Sequence, residues 1–143
     1  MAKIRDLLTN RTIYYVQPEQ TVIEAADYMV ECKVGAVPVL NGTVLAGVFS
    51  ERDIMSKVVT KGRDPVSTRV SEVMSTDLQT VTPDSSCDEA MLMMQSHGIR
   101  HLPVCEGKTL VGFLSLRDLM RLTLEEKSGE AEMMRAYIQT SAS

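Results

Sequence analysis

Two short stretches of this chain carry the same reactive groups at the same spacing. Ser50, Arg52 and Asp53 close the stretch "GVFSERD", and Ser115, Arg117 and Asp118 close "GFLSLRD". A hydroxyl, a guanidinium and a carboxylate so close together can hold a ligand with phosphate and hydroxyl groups. The serine and arginine suit the phosphate, and an ionised aspartate accepts hydrogen bonds from two adjacent hydroxyls. The same letters allow another reading. Serine followed three residues later by an acid is close to a capping box, in which the pair satisfies the first N–H groups of a helix and binds nothing else. Against that, the box prefers Glu in the acidic position, which the chain supplies at Glu24 and Glu89, and Arg precedes Asp both times. Arg52 and Arg117 can pair with a phosphate or with a carboxylate on their own helix, and spacing does not separate the two.

The motif belongs to a longer duplication. Val16–Met55 aligns without a gap on Val81–Met120, with identities that include Pro18/Pro83, Glu24/Glu89, Met29/Met94, Pro38/Pro103, Gly42/Gly107 and Gly47/Gly112. Each copy begins with a short apolar strand, "TIYYVQP" or "LQTVTP", ended by a proline that has no ladder donor. A helix follows in "TVIEAADYMVECK" and "SCDEAMLMMQSHG", where Thr21 with Glu24 and Ser86 with Glu89 form capping boxes. Next come two strands around Asn41-Gly42 or Glu106-Gly107, residues suited to a hairpin turn. The last strand runs through S-x-R-D into a second helix, so each copy reads β-α-β-β-α. The polar connector "TKGRDPVSTRVSEVM" joins the copies, and after them Met133, Met134, Tyr137 and Ile138 space out a last amphipathic helix.

Two copies in this order, with a P-V strand, a G-x-x-S-x-R-D junction and a further helix, resemble a tandem pair of CBS domains, named after cystathionine β-synthase. The likeness is to small stand-alone bacterial CBS-pair proteins and spans residues 3–125. It implies an α+β fold of two CBS repeats, each a small three-stranded sheet with two helices, related by a pseudo-twofold axis. The expected boundaries are 1–65 and 66–125 for the repeats and 126–143 for the C-terminal helix and tail. It also implies clefts between the repeats that bind adenosine nucleotides (AMP, ADP or ATP), NAD(H) or S-adenosylmethionine, with AMP or ATP foremost. In the family, the matching Asp holds the ribose hydroxyls and the matching Ser faces the phosphate, which places Ser50, Asp53, Ser115 and Asp118 in the site. Arg100 and His101 stand where the family supplies basic phosphate contacts, and the first copy has the uncharged Gly35 and Ala36 there, so the two clefts should differ. The adenine is expected against Tyr14, Tyr15, Val16 and Val37 in one cleft and Thr80, Val81 and Leu102 in the other; plain core strands are the other reading of these residues.

The function implied is a non-catalytic regulatory module that needs no cofactor, senses an adenosine nucleotide as effector and signals by a conformational shift to a regulated protein. Homodimerisation through the helices is expected. The alternative is a ligand-independent dimerisation or scaffold module with vestigial clefts. Ser115, His101 and Asp118 contain the ingredients of a catalytic triad, but there is no G-x-S-x-G elbow and no P-loop. With 15 Lys and Arg against 19 Asp and Glu, the net charge of −4 has the wrong sign for tracking nucleic acid or an anionic membrane. Three scattered cysteines and two histidines make no zinc spacing and suit a reducing cytoplasm. No run approaches the ~20 apolar residues of a bilayer span.

Overall fold

The computed structural model describes residues 2–9 and 11–122; the helix expected over 126–143 lies outside them. The first repeat consists of helix α1 (Val22–Cys32), strands β1 (Ala36–Asn41) and β2 (Val44–Ser50), and helix α2 (Glu51–Asp53), which widens into a π-helix over Ile54–Val59. A short helix α3 (Val70–Val73) lies in the connector. The second repeat follows with α4 (Cys87–His97), β3 (His101–Glu106), β4 (Thr109–Ser115) and a helix α5 described over residues 116–122. A 3-10 turn over Ile4–Leu7 precedes everything.

Local chemistry sets these elements. Thr21 Oγ1 accepts the Glu24 N–H at 3.3 Å while Glu24 Oε1 accepts the Thr21 hydroxyl at 2.9 Å, and Ser86 with Glu89 repeats the box at the start of α4. Both helices end in a left-handed residue, which is Gly98 after α4 but Lys33, at φ 59°, after α1. The hairpin turns centre on Gly42-Thr43 and Gly107-Lys108, one residue beyond the Asn41-Gly42 and Glu106-Gly107 read from the sequence. Asn41 and Glu106 pair in the ladder, and the glycine takes the positive φ of the first turn position. The leading strand of each repeat is one bridge long, with Val16 parallel to Val39 and Val81 parallel to Val104. The hairpins meet through the antiparallel pair Val44 and Thr109, which makes one sheet of order β1-β2-β4-β3. That order reads the same under exchange of the repeats, as a pseudo-twofold axis requires.

Two cores lie one in each repeat, and a smaller cluster of Leu40, Cys105 and Leu110 joins them. The segments that lead into the repeats are exchanged between them. Ile4, fully buried, belongs to the core of the second repeat, and Val70 and Val73 belong to the core of the first. Backbone bonds fix the exchange: Ile4 N–H to Ser85 O at 3.0 Å and Arg5 N–H to Pro83 O at 2.8 Å on one side, Val70 N–H to Gln20 O at 2.8 Å on the other. "IRDLLT" (Ile4–Thr9) is therefore the counterpart of "VSEVMS" (Val70–Ser75), offset by one residue more than the rest of the duplication. The repeated glycines accommodate this packing. A Cβ on Gly47 would come within 2.7 Å of Met74 Sδ, and one on Gly112 would collide with Leu8.

Candidate functional site

Ser50 and Ser115 end their strands and cap the helices that follow. Ser50 Oγ accepts the Asp53 N–H at 3.3 Å and Ser115 Oγ accepts the Asp118 N–H at 3.1 Å. In return Asp53 Oδ2 accepts the Ser50 N–H at 3.0 Å, and Asp118 Oδ2 accepts the Ser115 N–H at 3.0 Å. Both motifs are thus capping boxes with Asp in the acidic position, and each uses one carboxylate oxygen. The other oxygen distinguishes them.

In the first repeat, Asp53 is 4% exposed. Its Oδ1 receives the Ser75 hydroxyl at 3.1 Å and pairs with Lys57 Nζ at 3.0 Å, one helical turn further on. Lys57 Nζ also donates to Val73 O at 3.0 Å, which ties α3 to the same network. The carboxylate expected to hold a ribose is occupied on every side by its own chain. Glu51 lies against Gly35, close enough that a Cβ there would come within 2.8 Å of Glu51 Oε1. An acid therefore covers the place where the second repeat has Arg100, and a phosphate at the first junction would face two carboxylates.

In the second repeat, the position of Lys57 is taken by Leu122, and the partner of Asp118 comes from elsewhere. Arg11 Nη2 donates to Asp118 Oδ1 at 2.7 Å, across a side chain 18% exposed. Partial burial pushes the Asp118 carboxyl up, but the Arg11 hydrogen bond, the Ser115 bonds and the Arg11 charge outweigh it and hold it below its ordinary value. Beside it opens a cleft of about 220 Å³ lined by Asp6, Leu7, Thr9, Arg11, Asp118, Arg121 and Leu122. Thr9 is the counterpart of Ser75; Ser75 bonds to Asp53, whereas Thr9 lines the cleft that Asp118 borders.

His101 is half-buried and stacks on Phe113, ring centroids 5.5 Å apart and 11° from parallel. Burial pushes its pKa down against the upward pull of Asp118 and Glu51, with Arg100 adding to the downward push. Arg100, Arg52, Arg117 and Thr80 are exposed, and neither Arg52 nor Arg117 forms a salt bridge among the described residues. Val16, Val37, Val81 and Leu102, expected beside an adenine, are between 0% and 5% exposed and sit in the two cores. Their side chains are spent on packing, which leaves only their backbone for a ligand. Tyr14 and Tyr15 are exposed, and Tyr14 meets Tyr28 edge-on.

Sequence reasoning missed Lys57 and Ser75 at the first junction and Thr9, Arg11 and Arg121 at the second. For Thr9 and Ser75 a signal existed in the offset likeness of "IRDLLT" to "VSEVMS". For Arg11 there was none, since no counterpart in the other copy pairs with an aspartate.

Duplicated β-α-β-β-α units joined into one pseudo-twofold sheet, with a serine-aspartate pair at each strand-to-helix junction, define a paired-repeat module. The family model described as "CBS domain" matches residues 4–60 and 70–125, and the chain belongs to this family with two copies of the domain. The CBS domain-containing protein YhcV of Bacillus subtilis is 41% identical over 83% of this chain and 84% of its own length. A putative signal-transduction protein with CBS domains from Burkholderia ambifaria superposes with a TM-score of 0.81 at 35% identity, covering 88% of this chain and 96% of the other. The crystal structure of CBSX2 in complex with AMP superposes with a TM-score of 0.76 at 25% identity, covering 89% and 99%.

Proposed function

We propose that this chain is a non-catalytic sensor of an adenosine nucleotide, with AMP or ATP as effector, and that the working junction is the one formed by Ser115 and Asp118. The observation that carries the reading is the contrast between two matching carboxylates. Asp53 is enclosed by Ser50, Ser75 and Lys57, whereas Asp118 borders a cleft that also holds Arg11 and Arg121. A carboxylate that accepts from ribose hydroxyls, beside guanidinium groups that donate to phosphate oxygens, is a complete acceptor and donor set for a nucleoside phosphate. The AMP complex of CBSX2 supports the ligand class. Arg100, His101 and Arg117 flank this junction, and His101, held toward its neutral form, contributes by hydrogen bonding more than by charge. Ser115 Oγ serves as a helix cap and the His101 ring is stacked on Phe113, which favours binding over a nucleophilic role.

Signalling requires that the two conformations of the module differ in ligand affinity. The lead segment of the second repeat passes the cleft and continues into the first repeat, so a ligand there bears on both. The readout passes to a regulated protein through a homodimer. Met55 and Met120 occupy matching helix positions and are 67% and 48% exposed, and Val59 beside Met55 is 68% exposed, an apolar surface suited to a second copy.

Isothermal titration with AMP, ATP, NADH and S-adenosylmethionine tests the reading. Saturable binding of one adenosine ligand per chain, lost in Asp118→Ala and kept in Asp53→Asn, is the expected result. The scaffold reading, which the capping geometry of both junctions also accommodates, predicts no binding by any of the four.

A further inference from the structure

Resting on the nucleotide reading, we infer that Arg11 competes with the ligand for Asp118 and then becomes a partner of its phosphate, so that Arg11 sets the preference for phosphorylated over neutral ligands. The Asp118 carboxylate has one oxygen in the helix cap, where it accepts the Ser115 N–H, and its other oxygen carries Arg11 Nη2 at 2.7 Å. A pair of ligand hydroxyls that turns to this second oxygen competes with the guanidinium for its lone pairs and for the space in front of it.

The origin of Arg11 makes it displaceable. At the first junction the cation is Lys57, four residues along the same helix as Asp53, and it is tied down further by Val73 O and Ser75 Oγ. At the second junction the cation lies outside the helix, on the segment between the turn Ile4–Leu7, docked on the second repeat, and Val16, bridged into the first. The Arg11 side chain is 38% exposed, and Asp118 is the one ion-pair partner it has among the described residues. Both Arg11 and Arg121 line the cleft. Asp6, the other acid in the lining, already accepts the Lys3 N–H at 3.2 Å.

The consequence is selective. A neutral nucleoside that takes Asp118 breaks an ion pair and returns nothing to the guanidinium. A nucleotide breaks the same pair and offers its own phosphate to the released fork, where bidentate pairing is available. Arg11 stands on the stretch of chain between the turn docked on the second repeat and Val16 in the first, so its release bears on the link between the repeats.

Titration of adenosine and AMP into the wild type, Arg11→Gln, Arg11→Lys and Arg121→Gln tests this, with thermal melts confirming that each variant is folded. Removal of the competitor in Arg11→Gln should tighten adenosine several-fold. The same change should shrink the preference for AMP over adenosine by about tenfold, the equivalent of about 1.4 kcal/mol. Arg11→Lys should retain part of the preference. Arg121→Gln, which removes a cation that does not pair with Asp118, should weaken AMP and leave adenosine unchanged. An unchanged preference in Arg11→Gln, or weaker adenosine binding, overturns the role of Arg11 while leaving the nucleotide reading intact. Failure of both ligands to bind the wild type removes the nucleotide reading and this inference with it.

Discussion

Asp53 and Asp118 carry the same letter at matching positions, and their surroundings give them different work. Asp53 accepts from Ser50, Ser75 and Lys57 while 4% exposed, so Asp53→Asn removes the buried charge that all three donors face and leaves them poorly matched. It should cost about 2 kcal/mol of unfolding free energy by urea titration. Asp118→Asn loses a partly solvated pair and a cap interaction that an amide oxygen can keep, and should cost less than about 1 kcal/mol. Equal losses would mean that the two junctions are not distinguished as their geometry implies. His101 gives a pH signature. Burial lowers its folded pKa below its ordinary value of 6.5, so the unfolded chain binds the proton more readily. Its contribution to stability is therefore present above about pH 6.5 and is lost as pH falls through that value toward the folded pKa. Thermal unfolding across pH 7.5 to 5.5 should show a shallower decline in His101→Gln than in the wild type. In proton NMR titration, Asp118→Asn should move the His101 midpoint further down, because it removes a charge that pulls the midpoint up.

At the scale of elements, the helix ends show what a duplicated sequence leaves unequal. Gly98 and Lys33 both terminate a helix with positive φ, 63° and 59°, a conformation that a side chain makes unfavourable. Lys33→Gly should therefore stabilise the protein by about 0.5–1 kcal/mol, and Gly98→Ala should destabilise it by about 1 kcal/mol, each read from the urea midpoint. A loss of stability in Lys33→Gly would show that the lysine side chain contributes more than its backbone strain costs. The two second helices also differ. After Asp53 the helix widens into a π turn over Ile54–Val59 and places Lys57 on Asp53, whereas residues 116–122 remain α-helical with Leu122 in that place.

For the whole molecule, the exchange of lead segments makes each repeat depend on residues outside its own stretch of chain. Ile4 is 0% exposed and completes a core built otherwise from Val81 to Leu119. Ile4→Ala should cost about 2–4 kcal/mol by leaving a cavity in the second repeat, despite lying at the opposite end of the sequence from it. Because the exchange is mutual, the repeats should unfold together. Calorimetry should give one transition with equal calorimetric and van't Hoff enthalpies, and two resolved transitions would contradict the exchange.

The order β-α-β-β-α, the capping boxes, the hairpin glycines and the two S-x-R-D junctions were legible in the residues. Each depends on side chains within a few positions of one another, and duplication printed the pattern twice. Family membership followed from the same pattern. What the linear chain did not disclose was which segment covers which repeat, that Val16, Val37, Val81 and Leu102 are wholly committed to the cores, and which cation meets each aspartate. Lys57 reaches Asp53 along one helix, but Ser75 reaches it, and Arg11 reaches Asp118, only because distant segments fold onto the opposite repeat. Contacts of that kind are decided by packing, since burial of Ile4 and Val70 in the far cores determines where the polar residues that follow them come to rest.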